Sequence, residues 1–287
     1  MKTQEMRKII IPTDFSENAF NALKYAAELF KYEKSEFYLL HAYADEVYSF
    51  EGVITHNLID EYKATVKEKC INELEKVTSE IQQLYANPKH TFHTVSAFGL
   101  LIDEVNDLAE KENADLIITA TRGSTNDRKL TFGSNTLQII KYVQCPVLSI
   151  PENYSFSDPE NILFPTNYLL PYQKRELKLV GGIARSFCSK VHMLYVSRFA
   201  EETLRQLDNK MAITEQLYDL KVTHHHEDSL EKTEAIQKMI DGFKVDLLIL
   251  VNSRHSYLEN ILYSSTIDKF GLHPKVPFLV LQNFHRF

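Results

Sequence analysis

Four short apolar runs in the first half of this chain return, in the same order, in the second half. Lys8-Ile9-Ile10-Ile11-Pro12-Thr13-Asp14 reappears 153 positions later as Asn161-Ile162-Leu163-Phe164-Pro165-Thr166-Asn167. Tyr38-Leu39-Leu40-His41-Ala42 aligns with His192-Met193-Leu194-Tyr195-Val196 at an offset of 154. Ala114-Asp115-Leu116-Ile117-Ile118 matches Val245-Asp246-Leu247-Leu248-Ile249, and Cys145-Pro146-Val147-Leu148-Ser149-Ile150 matches Val276-Pro277-Phe278-Leu279-Val280-Leu281, both at 131. A repeat of this length constrains the fold more than any local propensity, because one pattern must build its core twice. The shorter offset marks a trimmed region: the first half carries a charged helical stretch from about Ile54 to Leu84, the second only about Glu201 to Leu220.

Within each half, runs rich in Ile, Leu and Val alternate with segments of helical period, such as Ala19, Ala22, Leu23, Tyr25, Ala26 and Leu29-Phe30. Strand-like runs without polar alternation suit a parallel sheet covered on both faces, joined by right-handed crossovers. The expected fold class is therefore α/β: two tandem, doubly wound, five-stranded parallel-sheet domains. At 287 residues the length fits two domains of ordinary size. Their expected bounds are 1–152 and 160–287, joined by the polar segment from Pro151 to Pro159. The two terminal strands, Val147 to Ile150 and Phe278 to Leu281, are expected at sheet edges, where unpaired backbone groups invite pairing.

Hydrophobic residues at 44% and charged residues at 25% exclude disordered, collagen-like and low-complexity chains. A net charge of −7 offers no source of counterion release, so nucleic acid and membrane surfaces are not expected partners. Cys70, Cys145 and Cys188 form no C-x-x-C pair, which argues against a disulfide framework or a thiolate zinc site. Only three apolar residues precede Pro12, too few for a signal peptide, and no run approaches a membrane span. A cytoplasmic location is expected.

In open parallel sheets, ligands bind beyond the carboxyl ends of the strands, at the point where strand order reverses. Two strand exits carry suitable residues. Pro12-Thr13-Asp14-Phe15-Ser16 opens a helix for which Asp14 or Ser16 could serve as cap. Arg122-Gly123-Ser124-Thr125-Asn126 through Gly133-Ser134-Asn135-Thr136 leads into the helix of Leu137, Ile140 and Val143, and holds two of the chain's 8 glycines. Gly133-Ser134-Asn135 at a helix start reads either as a plain N-cap or as a phosphate cradle of unpaired amides.

These motifs together resemble the universal stress protein family: Pro-Thr-Asp-Phe-Ser after the first strand, Leu-Leu-His in the second, the Gly123 to Thr136 loop, and Cys145-Pro146-Val147-Leu148. The resemblance covers nearly the whole chain as two tandem copies. It implies a fold similar to the adenine nucleotide α-hydrolases, which is Rossmann-like. It also implies an adenine-nucleotide site, for ATP, ADP or AMP with or without Mg, on a loop of the form G-x-x-G-x9-G-[S/T]. Here Asn126 stands at the second glycine, and six residues rather than nine separate it from Gly133; Asn enters the left-handed region more readily than other non-glycine residues. Carried over by position, Pro12, Thr13, Asp14 and Ala42 border adenine and ribose. Arg122, Gly123, Asn126, Gly133, Ser134 and Asn135 surround ribose and phosphates, and Arg128 could add charge.

The second half departs from this pattern. Asn167 stands at the Asp14 position, and Ser253 and Tyr263 replace Gly123 and Gly133, so this copy is expected to have lost or altered binding. His224 and His226, two apart on a strand, read as a solvated strand end or as two ligands of a metal. His41 reads as a hydrogen-bonded structural histidine. No P-loop or G-x-G-x-x-G follows any strand. Two functions stand: a nucleotide-holding regulatory switch with at most slow hydrolysis, and a stress factor that binds only proteins. In the family, pairing of the terminal edge makes the dimer. That implies an intramolecular pseudo-dimer here, with homodimerisation also open.

Overall fold

The structure is a computed structural model that describes residues 6–49, 56–121, 133–198, 201–229, 231–252, 258 and 275–283. Contacts divide the described residues into two compact units, with the break between Cys145 and Pro146.

Unit one runs β1 (Arg7–Pro12), α1 (Glu17–Leu29), β2 (Ser35–Ala42), α2 (Ala44–Tyr48), α3 (His56–Leu84), β3 (His90–Ala97), α4 (Leu101–Glu112), β4 (Leu116–Ala120) and α5 (Ser134–Tyr142). Its strands lie in the order β3-β2-β1-β4. All three pairings are parallel, with Ile10 opposite Tyr38 on one side and Ile117 on the other, and Phe37 opposite Phe92. Ile9, Ile10 and Ile11 are all buried, as an uninterrupted apolar run must be when helices cover both faces of its strand. Helix α1 starts at Ser16, whose Oγ accepts the Ala19 amide at 3.2 Å. Of the two candidate caps, Ser16 does the capping.

Unit two holds β5 (Val147–Ile150), β6 (Asn161–Pro165), α6 (Lys174–Ser186), β7 (Lys190–Val196), α7 (Leu204–Gln216), β8 (Lys221–Glu227), α8 (Lys232–Phe243), β9 (Leu247–Val251) and β10 (Phe278–Leu281). Its strand order is β5-β10-β9-β6-β7-β8, parallel except where β5 runs antiparallel to β10, with Leu279 opposite Leu148. The two strands expected at sheet edges are therefore each other's partners. Two short apolar strands satisfy each other's backbone groups in this way, and the contacts so made group β5 with the second unit. The strands of each unit are all or mostly parallel, which makes the fold α/β.

The repeat is visible in the backbone chemistry. Asp115 donates its amide to Lys8 O while its Oδ2 accepts the Lys8 amide at 3.1 Å. Asp246 does the same with Asn161, at 2.9 Å for the carboxylate contact. Helices α4 and α8 both end on a left-handed residue, Asn113 at φ 52° and Lys244 at φ 50°. After the first strand of each copy the chain makes the same strained turn, with Phe15 at φ 61° and Tyr168 at φ 54°.

Candidate functional site

The carboxyl ends of β1, β2 and β4 surround a cavity of about 110 Å³ in unit one. It lies beside β1 and β4, the neighbours between which the chain order reverses. β1 contributes Pro12, Thr13 and Asp14, β2 contributes His41 and Ala42, and β4 contributes Thr119 and Ala120, while Asn135, Thr136 and Ile139 enter from α5. Of the residues expected to hold a nucleotide, Pro12, Thr13, Asp14, Ala42 and Asn135 thus border one space. Gly133 and Ser134 stand at the start of the helix that contributes Asn135. Arg122, Gly123, Asn126 and Arg128 lie outside the described residues.

Local bonding holds this rim. The Thr13 amide donates to Leu40 O at 2.9 Å, and Thr13 Oγ1 accepts the Phe15 amide at 3.0 Å. Asp14 Oδ1 accepts the Ser16 amide at 3.1 Å and the Ser16 hydroxyl at 2.6 Å. These two side-chain turns support the left-handed Phe15 that a tighter exit from β1 requires. His41 is buried, with Nδ1 2.7 Å from Thr13 O and Nε2 2.7 Å from Glu46 Oε1, and its ring centre lies 4.5 Å from that of Phe15. It ties the β1 exit to α2, a structural role of the kind its position suggested.

The start of α5 corrects one detail of the phosphate cradle. The Gly133 amide is already committed, donating to Thr121 O at 2.9 Å. Gly133 is the N-cap and has no side chain to accept from the first turn. The amides left without an intrahelical partner by helix geometry are those of Ser134, Asn135 and Thr136. Thr136 is further anchored by its hydroxyl, which donates to Ala120 O at 2.8 Å.

Sequence reasoning missed Ala19, Asp45, Leu101, Thr119, Ala120, Thr136 and Ile139 on this rim. Thr119 and Ala120 end a strand just before the glycine loop, so the strand-end rule could have found them. Ala19 and Ile139 carry no such signal, since each is an ordinary apolar position of a helix.

In unit two the corresponding place is built differently, and by residues other than those expected. The Tyr172 ring stacks on Phe164 at 5.5 Å, and its hydroxyl bonds the Thr166 hydroxyl, the counterpart of Thr13. Glu176, third residue of α6 as Ala19 is of α1, is buried, and its Oε1 accepts the Gln282 amide at 2.8 Å. A tyrosine ring and a buried carboxylate occupy positions that are small or apolar in unit one, which disfavours an anionic ligand. The expected effect of Ser253 and Tyr263 falls outside the described residues. The histidines 224–226 lie toward the carboxyl end of β8, with His224 and His226 exposed. Among the described residues no group of three or more His, Cys, Asp or Glu could hold a metal ion.

A doubly wound α/β unit with a crevice at its switch point, bordered by a helix start that lacks a side-chain cap, defines a Rossmann-like α/β protein. The sequence model of the universal stress protein family matches residues 5–151. The chain belongs to that family. Universal stress protein MJ0531 of Methanocaldococcus jannaschii is 31% identical over 144 residues, covering 50% of this chain and 81% of that protein. A solved universal stress protein of Archaeoglobus fulgidus has the same fold over nearly the full length, with TM-score 0.66, 18% identity and 96% of each chain covered. Another universal stress protein has been solved in complex with cAMP; it covers 50% of this chain at 15% identity and TM-score 0.36, and 96% of its own length is matched. Among the described residues no helix is long and apolar enough to cross a membrane.

Proposed function

We propose that the first half of this chain binds an adenine nucleotide, ATP, ADP or AMP, and acts as a regulatory switch in a cytoplasmic stress response. The reading rests on one observation: the cavity at the β1–β4 switch point adjoins the start of α5, where a glycine caps without a side chain. The base would lie against Pro12, Thr13, Asp14 and Ala42, and the phosphates against the Ser134, Asn135 and Thr136 amides, where the helix dipole favours negative charge. Gly123, Asn126 and Arg122 would complete the phosphate side, and any Mg2+ would come with the phosphates. About 110 Å³ is below the roughly 300 Å³ at which sites for drug-sized ligands begin, so the described rim accounts for the base end of a nucleotide rather than all of it.

The repeat units, 1–152 and 160–287, are proposed as a binding copy and a copy retained for pairing, either with the first half or between chains. The decisive experiment starts from purified protein. Denaturation and anion-exchange chromatography would release and identify a carried nucleotide, and calorimetry would measure ATP, ADP and AMP binding. Adenine nucleotide in the supernatant, or heat on titration, supports the switch. Neither one leaves a protein-binding factor.

A further inference from the structure

Unit two contains a second cavity, of about 560 Å³, formed where the carboxyl ends of β7 and β8 meet α7 and the turn after β6. That volume lies inside the range of about 300–1,000 Å³ typical of small-molecule sites. It is unrelated to the nucleotide crevice, which belongs to unit one.

Its walls are aromatic. The Tyr168 and Tyr195 rings lie 6.1 Å apart, and Tyr195 stacks with His226 at 5.6 Å and 25°. The hydroxyls are engaged at their tips: Tyr168 OH lies 3.3 Å from His224 Nδ1, and Tyr195 OH accepts the Gln206 side-chain amide at 3.3 Å. Tyr195 is half-buried and offers its ring as a surface, whereas Tyr168 is fully buried and backs the wall. Their faces carry negative quadrupole potential and attract cations, as Lys210 shows by placing Nζ 5.5 Å from the Tyr168 centroid.

The charges point the same way. Lys210 is paired with both oxygens of Glu202, at 2.9 and 3.1 Å, so that pair is neutral. Glu201 adds a second carboxylate to the lining. Burial, reinforced by Lys210, holds His224 below the ordinary imidazole range, and burial does the same to His225. Neither environment favours a charged ring, and in the lining two carboxylates stand against one lysine. Of the ring nitrogens that could serve a metal, His226 Nε2 donates to Ser197 O at 2.8 Å and His224 Nδ1 faces Tyr168 OH.

We propose that this cavity binds a small organic cation, an alkylated ammonium held by the Tyr195 ring and the Glu201 carboxylate. The test compares two probes of one shape on the full chain: choline, and 3,3-dimethylbutan-1-ol, in which carbon replaces the charged nitrogen. Choline should bind, measured by calorimetry or ligand-detected NMR, and the neutral analogue should bind about tenfold more weakly or not at all. Glu201→Gln, at an exposed position, and Tyr195→Leu should each weaken choline severalfold, with circular dichroism confirming the fold. Should Tyr195→Leu fail to fold, the exposed Glu201 variant and the pair of probes still decide the matter. Equal affinity for both probes, no choline binding, or choline binding indifferent to Glu201→Gln would each overturn the proposal.

Discussion

At position 133 the backbone does not ask for glycine: φ is −63° and ψ is 154°, extended geometry open to any residue. What glycine provides is the lack of a side-chain cap, which leaves the first-turn amides of α5 without a side-chain acceptor. Two substitutions separate these roles. Gly133→Ser adds a neutral side-chain N-cap and should raise thermal stability by only a few tenths of a kcal/mol, about the usual difference between glycine and serine caps, while only modestly weakening nucleotide binding. Gly133→Asp should cap as well, but its carboxylate would sit where the proposed site puts phosphate charge and should lower affinity for ATP by about tenfold or more. Thermal melts and ATP titrations of both variants check this, and equal affinities would remove phosphates from the α5 start.

At the scale of elements, the same chemistry is used twice and should cost the same when broken. Asp115→Leu and Asp246→Leu each leave a strand amide, of Lys8 or Asn161, without its carboxylate acceptor. Each should lower unfolding free energy by about 1–3 kcal/mol, read from urea midpoints. A penalty at one position and none at the other would mean that the two contacts do different jobs. Ser16→Ala, which removes the α1 cap, should cost about 1 kcal/mol. Most of these elements were legible in sequence, because Ile9, Ile10 and Ile11 can be buried together only in a doubly covered strand, and Ser16 stands where a helix start requires an acceptor. The partner of β5 was not legible in its own residues and was implied only by the family resemblance. A four-residue apolar strand such as Val147–Ile150 carries no mark of which neighbour it will join.

For the whole molecule, the histidines set a pH dependence. Burial is the leading cause that holds His90, His192, His224 and His225 below the ordinary imidazole value of 6.5. The unfolded chain takes up protons at these positions once pH falls below 6.5, whereas the folded chain does so only further down. Stability is therefore full above 6.5 and falls as pH drops through the window beneath it. Asp246, raised by burial, acts in the opposite sense in the carboxylate range. Urea midpoints at pH 7.5, 6.5 and 5.5 should decline in that order, and a flat or rising series would show that the fold does not disfavour protonation of these rings.

The sequence by itself determined the repeated α/β plan and the strand exits that border the cavity of unit one. Apolar runs, helical periods and a repeat are local properties that survive any arrangement of the parts. Tertiary structure alone decided that the Gly133 amide is spent on Thr121, that Tyr172 and Glu176 alter the site's counterpart in unit two, and that Tyr168, Tyr195 and His226 line a cavity there. Each of these depends on residues distant in sequence meeting in space, and the identity of such a partner is set by packing, to which one segment's pattern holds no key.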